Sequence, residues 1–535
     1  MSWRTPPEAI PEEKITAGYA ADIVVLGLGY AGTAAVRAAA EGGASVIGIE
    51  LQPKERFNSF GRDIGHMNSN FLKSRGVPAV DPIDLFNEWM RRAGNRANPR
   101  LVMQYCQNSG AAFDWFTDMY TPEELKDLHV AFWPQGGESY LAAAGKGEGA
   151  VNGYNFWVGT AEFPDPMGWP GSPTLQDCIK DNQKKAEAAG AKLFYGWSGE
   201  MPVMDGDRVA GVIASTKQGE YMRCTASKAV VLAAGDFGGN KEMLADLCCD
   251  IADLCRPGEP LPPSFGRRGR GQQMGVWAGG RLETRPLPTM GGNTTAPMSL
   301  CTFGALWLDR DGRRYCNEIF GGTEIGGFAG NQDPRGENYV IFDEHWPENE
   351  MRWSFPAHGG FDVNTAGESA KALFALAKAD PTATKIEAVS PPPMRKPLAI
   401  FCGDTPEELV KNAGLTGGKA QNIVESIRRY NAMCAAGRDD DFGRDPRLLD
   451  PLTGRLFLQK MEPAAPGMML VTVGGLVTDE NQQVLNADYE RIPGLYATGN
   501  CCGRRFGTQY ATPIAGVSIG MALTLGRELG RKLAE

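Results

Sequence analysis

The order of elements in residues 21–50 constrains the fold more than any other feature of this chain. The segment ADIVVLGLGYAGTAAVRAAAEGGASVIGIE predicts a buried strand, a glycine turn, a helix and a second strand. In such a unit Gly27 makes the turn, Gly29 lets the backbone approach a pyrophosphate, and Gly32 permits close packing of the helix on the strand. Glu50 ends the second strand 18 residues after Gly32, where a carboxylate can accept hydrogen bonds from a ribose diol. The segment predicts a parallel α/β fold that binds an adenosine diphosphate group, and both NAD and FAD satisfy it.

Length and charge limit the remaining possibilities. A chain of 535 residues is too long for one core, so two domains are expected. Its net charge of −10 argues against nucleic acid as a partner and favours a small molecule. The start MSWRTPPEAIPEEK has neither a basic nor an apolar leader region, and no apolar run approaches the ~20 residues that a membrane span needs. We therefore expect a cytoplasmic protein without a membrane span.

The 12 cysteines are scattered and form no CxxC pair, which is typical of reduced, mostly buried thiols. Cys248, Cys249 and Cys255 lie close together, but they lack the spacing and the local fourth ligand of an iron–sulfur site. Whether these three thiols bind anything stays open at this point. No histidine has metal-ligand spacing with nearby acids, so the sequence predicts no metal site.

The chain changes character twice. Residues 286–471 contain more proline and a polar stretch, GGTEIGGFAGNQDPRGENY, whereas short apolar strands and glycine turns precede this region and return after it. We expect an N-terminal tail over 1–20, a cofactor-binding domain built from 21–285 and 472–535, and an inserted second domain over 286–471.

Five further segments extend the opening GLGYAG motif along most of the chain. They are AVVLAAGDFGGN at 229–240, GQQMGVWAGGRLE at 271–283, GALWLDRDGRRYCNE at 304–318, VGGLVTD at 473–479 and IPGLYATGN at 492–500. With them, the chain resembles the flavoprotein family of fumarate reductases, succinate dehydrogenase flavoprotein subunits, urocanate reductases and 3-ketosteroid dehydrogenases. The resemblance implies FAD as the cofactor, held in a Rossmann-like FAD-binding domain that is interrupted by an α+β capping domain.

The resemblance also implies which residues contact the FAD. These are Gly27, Gly29, Tyr30, Ala31, Gly32, Glu50, Gly65, His66, Met67, Asn68, Ala234, Gly235, Gly499, Asn500, Gly516, Val517 and Ser518. Ser59 stands near the position at which the succinate dehydrogenase subunits carry their flavin-linking histidine, so the resemblance implies noncovalent FAD. A helix beginning near Gly516 would favour negative charge on the reduced flavin ring.

The substrate-binding positions depart from the fumarate reductase pattern. Those enzymes hold a dicarboxylate with two histidines and an arginine, and they deliver a proton from a second arginine that a carboxylate and a third arginine supply. The corresponding positions here are Leu287, Val471, Tyr510, the vicinity of Gly322, Met298 and Cys301. Loss of a buried arginine removes the charge-assisted hydrogen bonds that offset the free-energy cost of desolvating a carboxylate. We therefore expect a larger, neutral, mostly apolar substrate, in a pocket that includes Leu287, Met298 and Val471.

Four residues are candidates for catalysis. Hydride exchange at flavin N5 needs a protein group that polarises the substrate carbonyl and exchanges a proton. Tyr510 is the first candidate because it resembles the tyrosine with which 3-ketosteroid dehydrogenases bind a ketone oxygen, although the following turn is about two residues longer here. Arg504 and Arg505 are second candidates, with surface charge or an ion pair as the alternative. His66 either protonates or tunes the flavin, or it only caps a loop.

Together these features predict an FAD-dependent oxidoreductase that reduces a C=C bond conjugated to a carbonyl in a non-dicarboxylate substrate. An external electron donor or acceptor is required, because no haem-binding CxxCH motif is present. Two alternatives are a desaturase similar to 3-ketosteroid dehydrogenases and a flavoprotein subunit of an electron-transfer complex. An FAD-binding sensor fits less well, since it gives a capping domain no purpose. The direction of reaction and the oligomeric state stay open.

Overall fold

The computed structural model describes most of the chain. The described residues are 2–59, 61–130, 159–163, 173–255, 257–261, 264, 266–291, 305–318, 337–346, 363–389, 397–444, 446–461, 469–510, 513–514 and 516–535.

The described residues form both strands and helices. The strands are β1 (Ile15–Leu26), β2 (Val46–Glu50), β3 (Asp63–Gly65), β4 (His129–Val130), β5 (Thr160–Glu162), β6 (Lys192–Tyr195), β7 (Trp197–Asp205), β8 (Arg208–Thr216), β9 (Tyr221–Leu232), β10 (Thr289–Gly291), β11 (Leu306–Leu308), β12 (Asn338–Asp343), β13 (Lys385–Val389), β14 (Pro397–Gly403), β15 (Leu456–Met461), β16 (Met469–Thr472), β17 (Gln483–Leu485) and β18 (Arg491–Ala497). The helices are α1 (Tyr30–Glu41), α2 (Asn70–Ser74), α3 (Pro82–Arg92), α4 (Pro99–Phe116), α5 (Leu175–Ala188), α6 (Lys241–Leu247), α7 (Cys249–Leu254), α8 (Arg270–Trp277), α9 (Val363–Ala379), α10 (Pro406–Asn412), α11 (Gly417–Ala436) and α12 (Val517–Ala534).

The larger sheet has the strand order β17-β18-β9-β1-β2-β6, with β8 pairing β9 and β7 pairing β8. The neighbours β18, β9, β1, β2 and β6 run parallel to one another. Their buried apolar runs, such as VIGIE in β2, are typical of strands covered on both faces. The predicted α/β class is confirmed, and the parallel strands all end at one edge of the sheet, where such folds bind ligands.

A second sheet has the order β11-β12-β15-β14-β13 and is antiparallel. All of its strands lie within the segment expected to form the inserted domain. The chain enters and leaves this segment through β10 and β16, which pair with each other in a short antiparallel ribbon. This ribbon brings residues 289–291 and 469–472 beside the end of the larger sheet.

The N-terminal segment differs from the expected tail over 1–20. Strand β1 begins at Ile15, and residues 15–21 already pair in parallel with β9. Their side chains are mostly exposed, so the segment has no buried apolar face. The pairing consists of backbone hydrogen bonds with a few side-chain contacts, such as the bond from the Thr16 hydroxyl to the Tyr221 carbonyl oxygen at 3.3 Å. Trp3 is also buried, and its carbonyl accepts the indole N–H of Trp277 at 3.1 Å.

Helix α12, at the C-terminal end of the chain, packs on α1. A Cβ at Gly526 would lie 2.3 Å from the Ala31 carbonyl oxygen, and one at Gly530 would lie 2.3 Å from that of Ala35. The missing side chains therefore allow the two backbones to approach closely. This contact places the middle of α12 against the start of α1.

Candidate active site

The glycine turn between β1 and α1 is closed on two sides and open on the third. Gly27 has φ +100°, and a Cβ there would lie 2.4 Å from the Ala233 carbonyl oxygen. A Cβ at Gly32 would lie 1.9 Å from the Gly27 carbonyl oxygen, whereas a Cβ at Gly29 would meet no atom within 4 Å. Gly27 and Gly32 thus serve chain packing, and Gly29 faces space that a ligand can enter.

Glu50 ends β2 directly beside this turn. One carboxylate oxygen accepts the backbone N–H of Leu28 and the other accepts that of Gln52, both at 2.9 Å. Each oxygen of an ionised carboxylate has room for a further donor. The acid is therefore held next to the turn with acceptor capacity for a ribose hydroxyl.

The residues after Gly29 anchor the turn to its surroundings. The Tyr30 hydroxyl donates to the Ser59 carbonyl oxygen at 3.2 Å. Ala31 packs against Gly499, where a Cβ would lie 2.8 Å from the Ala31 methyl group. The start of α1 therefore contacts the turn that follows β18.

His66 is fully buried and bound within its own loop. Its Nδ1 lies 3.0 Å from the Ile64 carbonyl oxygen, which can only accept, so Nδ1 carries the hydrogen and Nε2 accepts from the Ser69 hydroxyl at 2.9 Å. The ring stacks on Phe113 at 3.9 Å between centroids. Burial lowers the pKa of His66 to about 3. The geometry favours a role in shaping the loop over proton exchange near neutral pH.

The neighbours of His66 fix the same loop. The Asn68 side chain donates to the Val80 carbonyl oxygen at 2.7 Å and accepts the Val80 N–H at 2.9 Å. The Met67 N–H donates to the Ser109 hydroxyl on α4. The Tyr105 hydroxyl donates to the Gly65 carbonyl oxygen at 2.7 Å. Four consecutive predicted cofactor residues, 65–68, are therefore held rigidly against α4.

The start of α12 meets this loop. The Gly516 carbonyl oxygen accepts the N–H of Gly65 at 2.9 Å, and Gly516 has φ +70° as the residue that precedes the helix. Val517 is fully buried, and the N–H of Ser518 donates to the Tyr510 hydroxyl oxygen at 2.9 Å. The first-turn amides of α12, the 65–68 loop and Tyr510 are thus brought together.

Tyr510 is 1% exposed and packs edge-to-face on Phe506 at 5.0 Å. Its cluster also contains Met67, Met290 and Val473. A hydroxyl that accepts a hydrogen bond becomes a stronger donor, because the two bonds polarise each other. The structure therefore combines a polarised phenol with apolar walls.

Ala234 and Gly235 follow β9 at the same edge of the sheet. Gly235 has φ +84°, and its carbonyl oxygen accepts the Gln272 amide N–H at 3.1 Å. The same amide donates to the Asn500 carbonyl oxygen at 2.8 Å, while Gly499 has φ +58°. Gln272 therefore ties together the two turns that follow β9 and β18.

Arg505 is completely buried and is bound by this second turn. Its Nη2 donates to the Asn500 side-chain oxygen at 2.7 Å and to the Val473 carbonyl oxygen at 3.0 Å, and its Nε donates to the Cys502 carbonyl oxygen at 2.9 Å. Arg504 lies elsewhere. Its guanidinium lies 5.7 Å from the ring of Tyr489, which is 49% exposed. Only one of the two adjacent arginines points into the protein.

The predicted substrate-pocket residues separate in the structure. Val471 lies on β16, pairs with Met290 and packs against the cluster of Tyr510. Leu287 is fully buried in a different cluster, which includes Phe237 and Leu247. Met298 lies outside the described residues, as do Gly322 and Cys301.

Two buried carboxylates were not among the predicted site residues. Asp236 accepts the N–H groups of Arg267, Gly238 and Thr472 at 2.7–3.1 Å. Glu283 accepts the N–H groups of Gly475 and Arg504, both at 2.9 Å, and burial raises its pKa to about 7. Both acids stand inside segments that carried the family resemblance, and an acid among glycines and apolar residues is the signal that could have identified them.

The described cysteines, among them Cys248, Cys249 and Cys255, are unbridged. The described ranges contain no group of three or more histidine, cysteine or acidic side chains that could hold a metal ion. No helix in those ranges combines the length and the apolar character that crossing a membrane requires.

These residues fit FAD. The open side of Gly29 suits a pyrophosphate, and Glu50 retains acceptor capacity for the ribose. Three buried polar atoms at this edge of the sheet, Arg505 Nη1, Gln272 Oε1 and Thr498 Oγ1, have no partner among the described residues. A cofactor rich in oxygen and nitrogen atoms can satisfy such groups.

Comparison with known proteins identifies the family. Residues 22–519 match the family described as FAD binding domain. The chain is 26% identical to fumarate reductase (cytochrome) from Shewanella frigidimarina over 510 residues, covering 93% of this chain and 74% of the relative. It is 25% identical to vinyl phenol reductase from Lactiplantibacillus plantarum over 516 residues, covering 93% of each protein.

A solved structure has the same fold. The 3-ketosteroid-Δ4-(5α)-dehydrogenase from Rhodococcus jostii RHA1 superposes with a TM-score of 0.69 at 22% identity, covering 99% of each chain. The resemblance inferred from the motifs is thereby confirmed, as is the choice of FAD over NAD. The chain belongs to the FAD binding domain family and is an FAD-dependent oxidoreductase.

Proposed function

We propose that this enzyme reduces a C=C bond conjugated to a carbonyl group in a largely apolar substrate that is not a dicarboxylate. The observation that carries the proposal is the environment of Tyr510, a buried phenol among apolar side chains whose oxygen accepts the N–H of Ser518. Such a phenol can donate to a ketone, ester or lactone oxygen and bind the enolate that develops there.

The walls around Tyr510 favour a neutral substrate. Met67, Met290, Val471 and Val473 are apolar. In the resemblance to fumarate reductases, Val471 and Tyr510 take the positions of a histidine and an arginine. A dianion placed against the four apolar side chains would lose its hydration, and none of them supplies a cation in return. An apolar enone, unsaturated lactone or acrylate ester loses little hydration and gains burial.

Bound FAD supplies hydride transfer to or from the substrate carbon. Tyr510 orients the substrate through its carbonyl oxygen. The 65–68 loop, held by His66 and Tyr105, forms a fixed wall, and the first turn of α12 holds the Tyr510 oxygen in place. We propose that the FAD is noncovalent, because the resemblance places Ser59 near the position at which the succinate dehydrogenase subunits carry their flavin-linking histidine.

The names of the relatives support reduction of C=C bonds. Fumarate reductase and vinyl phenol reductase both act on such bonds, and a vinyl phenol is not a dicarboxylate. An external reduced donor supplies the electrons. The reverse reaction, desaturation next to a ketone, is the second candidate, since the same phenol–carbonyl contact serves both directions.

Replacement of Tyr510 by phenylalanine tests the proposal. Removal of one oxyanion donor costs roughly 10²-fold or more in kcat, so Tyr510→Phe should lose about that factor with a 3-ketosteroid or an aryl acrylate ester and reduced viologen under anaerobic conditions. Tyr430→Phe is the matched control. Tyr430 is also buried, but it lies on α11, within the segment expected to form the inserted domain, and its hydroxyl has no hydrogen-bond partner in the part of the chain that the structure describes.

An unchanged kcat for Tyr510→Phe would refute its role. The direction is read by offering the saturated ketone with an artificial electron acceptor. Faster oxidation of the saturated ketone than reduction of the enone would favour desaturation.

A further inference from the structure

Arg505 has hydrogen-bonding capacity that the described residues do not use. Its side chain is completely buried, and Nε and Nη2 make three bonds, to Cys502, Val473 and Asn500. The Nη1 nitrogen has no partner among the described residues. A guanidinium presents five N–H donors, so the two on Nη1 remain for a group from outside the chain.

The charge of Arg505 also has no direct counter-ion in the described part of the chain. Its three acceptors are two backbone carbonyls and one amide oxygen, and none of them is ionised. Glu283 is the acid that acts on it electrostatically, but both Glu283 oxygens are bound by backbone N–H groups. A buried cation in this position favours an electron-rich partner.

Two further orphaned atoms indicate what kind of molecule supplies that partner. Gln272 Oε1 and Thr498 Oγ1 are buried without partners in the described ranges. Gln272 bridges the turns after β9 and β18, and Thr498 directly follows β18, so both belong to the edge where parallel sheets bind cofactors. Three polar atoms at this edge suit an oxygen-rich cofactor better than an apolar substrate.

We propose that Arg505 is an FAD ligand whose Nη1 donates to an oxygen atom of the bound cofactor. The assignment depends on FAD binding alone and not on the identity of the substrate. Failure of the proposed reaction would therefore leave it standing.

The dissociation constant of FAD tests the proposal, measured from flavin fluorescence as purified holoprotein is diluted. Loss of a charge-assisted hydrogen bond weakens binding by roughly tenfold to a hundredfold, which is the expected effect of Arg505→Met. Arg208→Met is the matched control. The Arg208 guanidinium also binds backbone carbonyls, those of Ser227 and Lys228 on β9, but it lies away from the cofactor turns, so FAD affinity should stay the same.

The midpoint potential of the bound flavin then locates the contact. If Nη1 faces the flavin ring, Arg505→Met weakens binding of the reduced flavin more than binding of the oxidised flavin. Each tenfold by which the loss of affinity for the reduced form exceeds that for the oxidised form lowers the midpoint potential by about 30 mV. If Nη1 faces the ribityl chain or the pyrophosphate, both forms weaken equally and the potential stays the same. Either result supports the assignment.

FAD affinity of Arg505→Met within twofold of wild type would overturn the proposal, and a raised KM at unchanged FAD affinity would assign Arg505 to the substrate instead. If circular dichroism shows that Arg505→Met does not fold, Arg505→Lys decides. A lysine keeps the charge but not the fork of donors, so several-fold weaker FAD binding supports the contact and unchanged binding refutes it.

Discussion

Replacing Gly29 by alanine should separate cofactor binding from folding. Gly29 has φ −68° and ψ −169°, which alanine adopts without strain, and the new Cβ would meet no protein atom within 4 Å. At such a site glycine-to-alanine replacement stabilises a protein by about 0.4–1 kcal/mol through the unfolded chain. The flavin-free protein should therefore unfold at the same temperature as wild type or slightly higher.

FAD binding by the same variant should weaken. The methyl group would occupy the side on which the backbone approaches the pyrophosphate, and loss of one amide–phosphate hydrogen bond costs about 1.5–3 kcal/mol. This corresponds to roughly tenfold to a hundredfold in the dissociation constant.

Gly32→Ala is the contrasting variant. Its Cβ would lie 1.9 Å from the Gly27 carbonyl oxygen, although Cβ contacts under 3.0 Å essentially never occur, so α1 must move. Close-packed helices do not absorb such a shift, and both the unfolding temperature and FAD affinity should fall. Thermal unfolding of the flavin-free proteins and FAD titration distinguish the two variants. A Gly29→Ala protein that binds FAD as wild type does, or that is destabilised as much as Gly32→Ala, would refute this assignment of the turn.

Two further predictions concern His66 and Trp3. Burial lowers the pKa of His66 from 6.5 to about 3. Between these two pH values the unfolded chain binds one more proton than the folded chain does, so the free energy of unfolding decreases as the pH falls below 6.5. The urea midpoint of His66→Asn should therefore fall less steeply than that of wild type between pH 6.5 and 4.5, and parallel curves would contradict the buried neutral ring. Trp3→Ala should cost about 3 kcal/mol, because the indole packs in a core cluster. A thermal unfolding temperature equal to that of wild type would show that the N-terminal segment is a free tail after all.

The first strand–turn–helix–strand unit was predictable because its signals are local. Glycine spacing, apolar runs and a terminal acid specify Gly27–Glu50 without reference to the rest of the chain. Local signals also specify the helices α5 and α11 and the β7–β8 hairpin, whose turn contains Gly206 with φ +56°. The early start of β1 was not predictable, since its exposed residues pair through backbone atoms with a strand about 200 residues away.

The site was less predictable than the fold, because burial of a polar side chain depends on distant partners. Arg504 and Arg505 are neighbours with the same chemistry, yet one lies over the exposed Tyr489 and the other is enclosed by Val473, Asn500 and Cys502. Arg504 has φ +55°, a left-handed backbone conformation that no local sequence signal predicts at an arginine. His66 shows the same limit, since its two partners decide between a loop-shaping and a proton-transferring role.

Substrate discrimination by the purified enzyme tests the central claim most directly. The measurement is kcat/KM for a neutral α,β-unsaturated ketone and for fumarate, with reduced viologen as donor under anaerobic conditions. The apolar cluster around the Tyr510 phenol predicts turnover of the ketone and none of fumarate. A higher kcat/KM for fumarate would contradict the account, because binding of its two carboxylates requires positively charged side chains at the positions that Val471 and Tyr510 occupy.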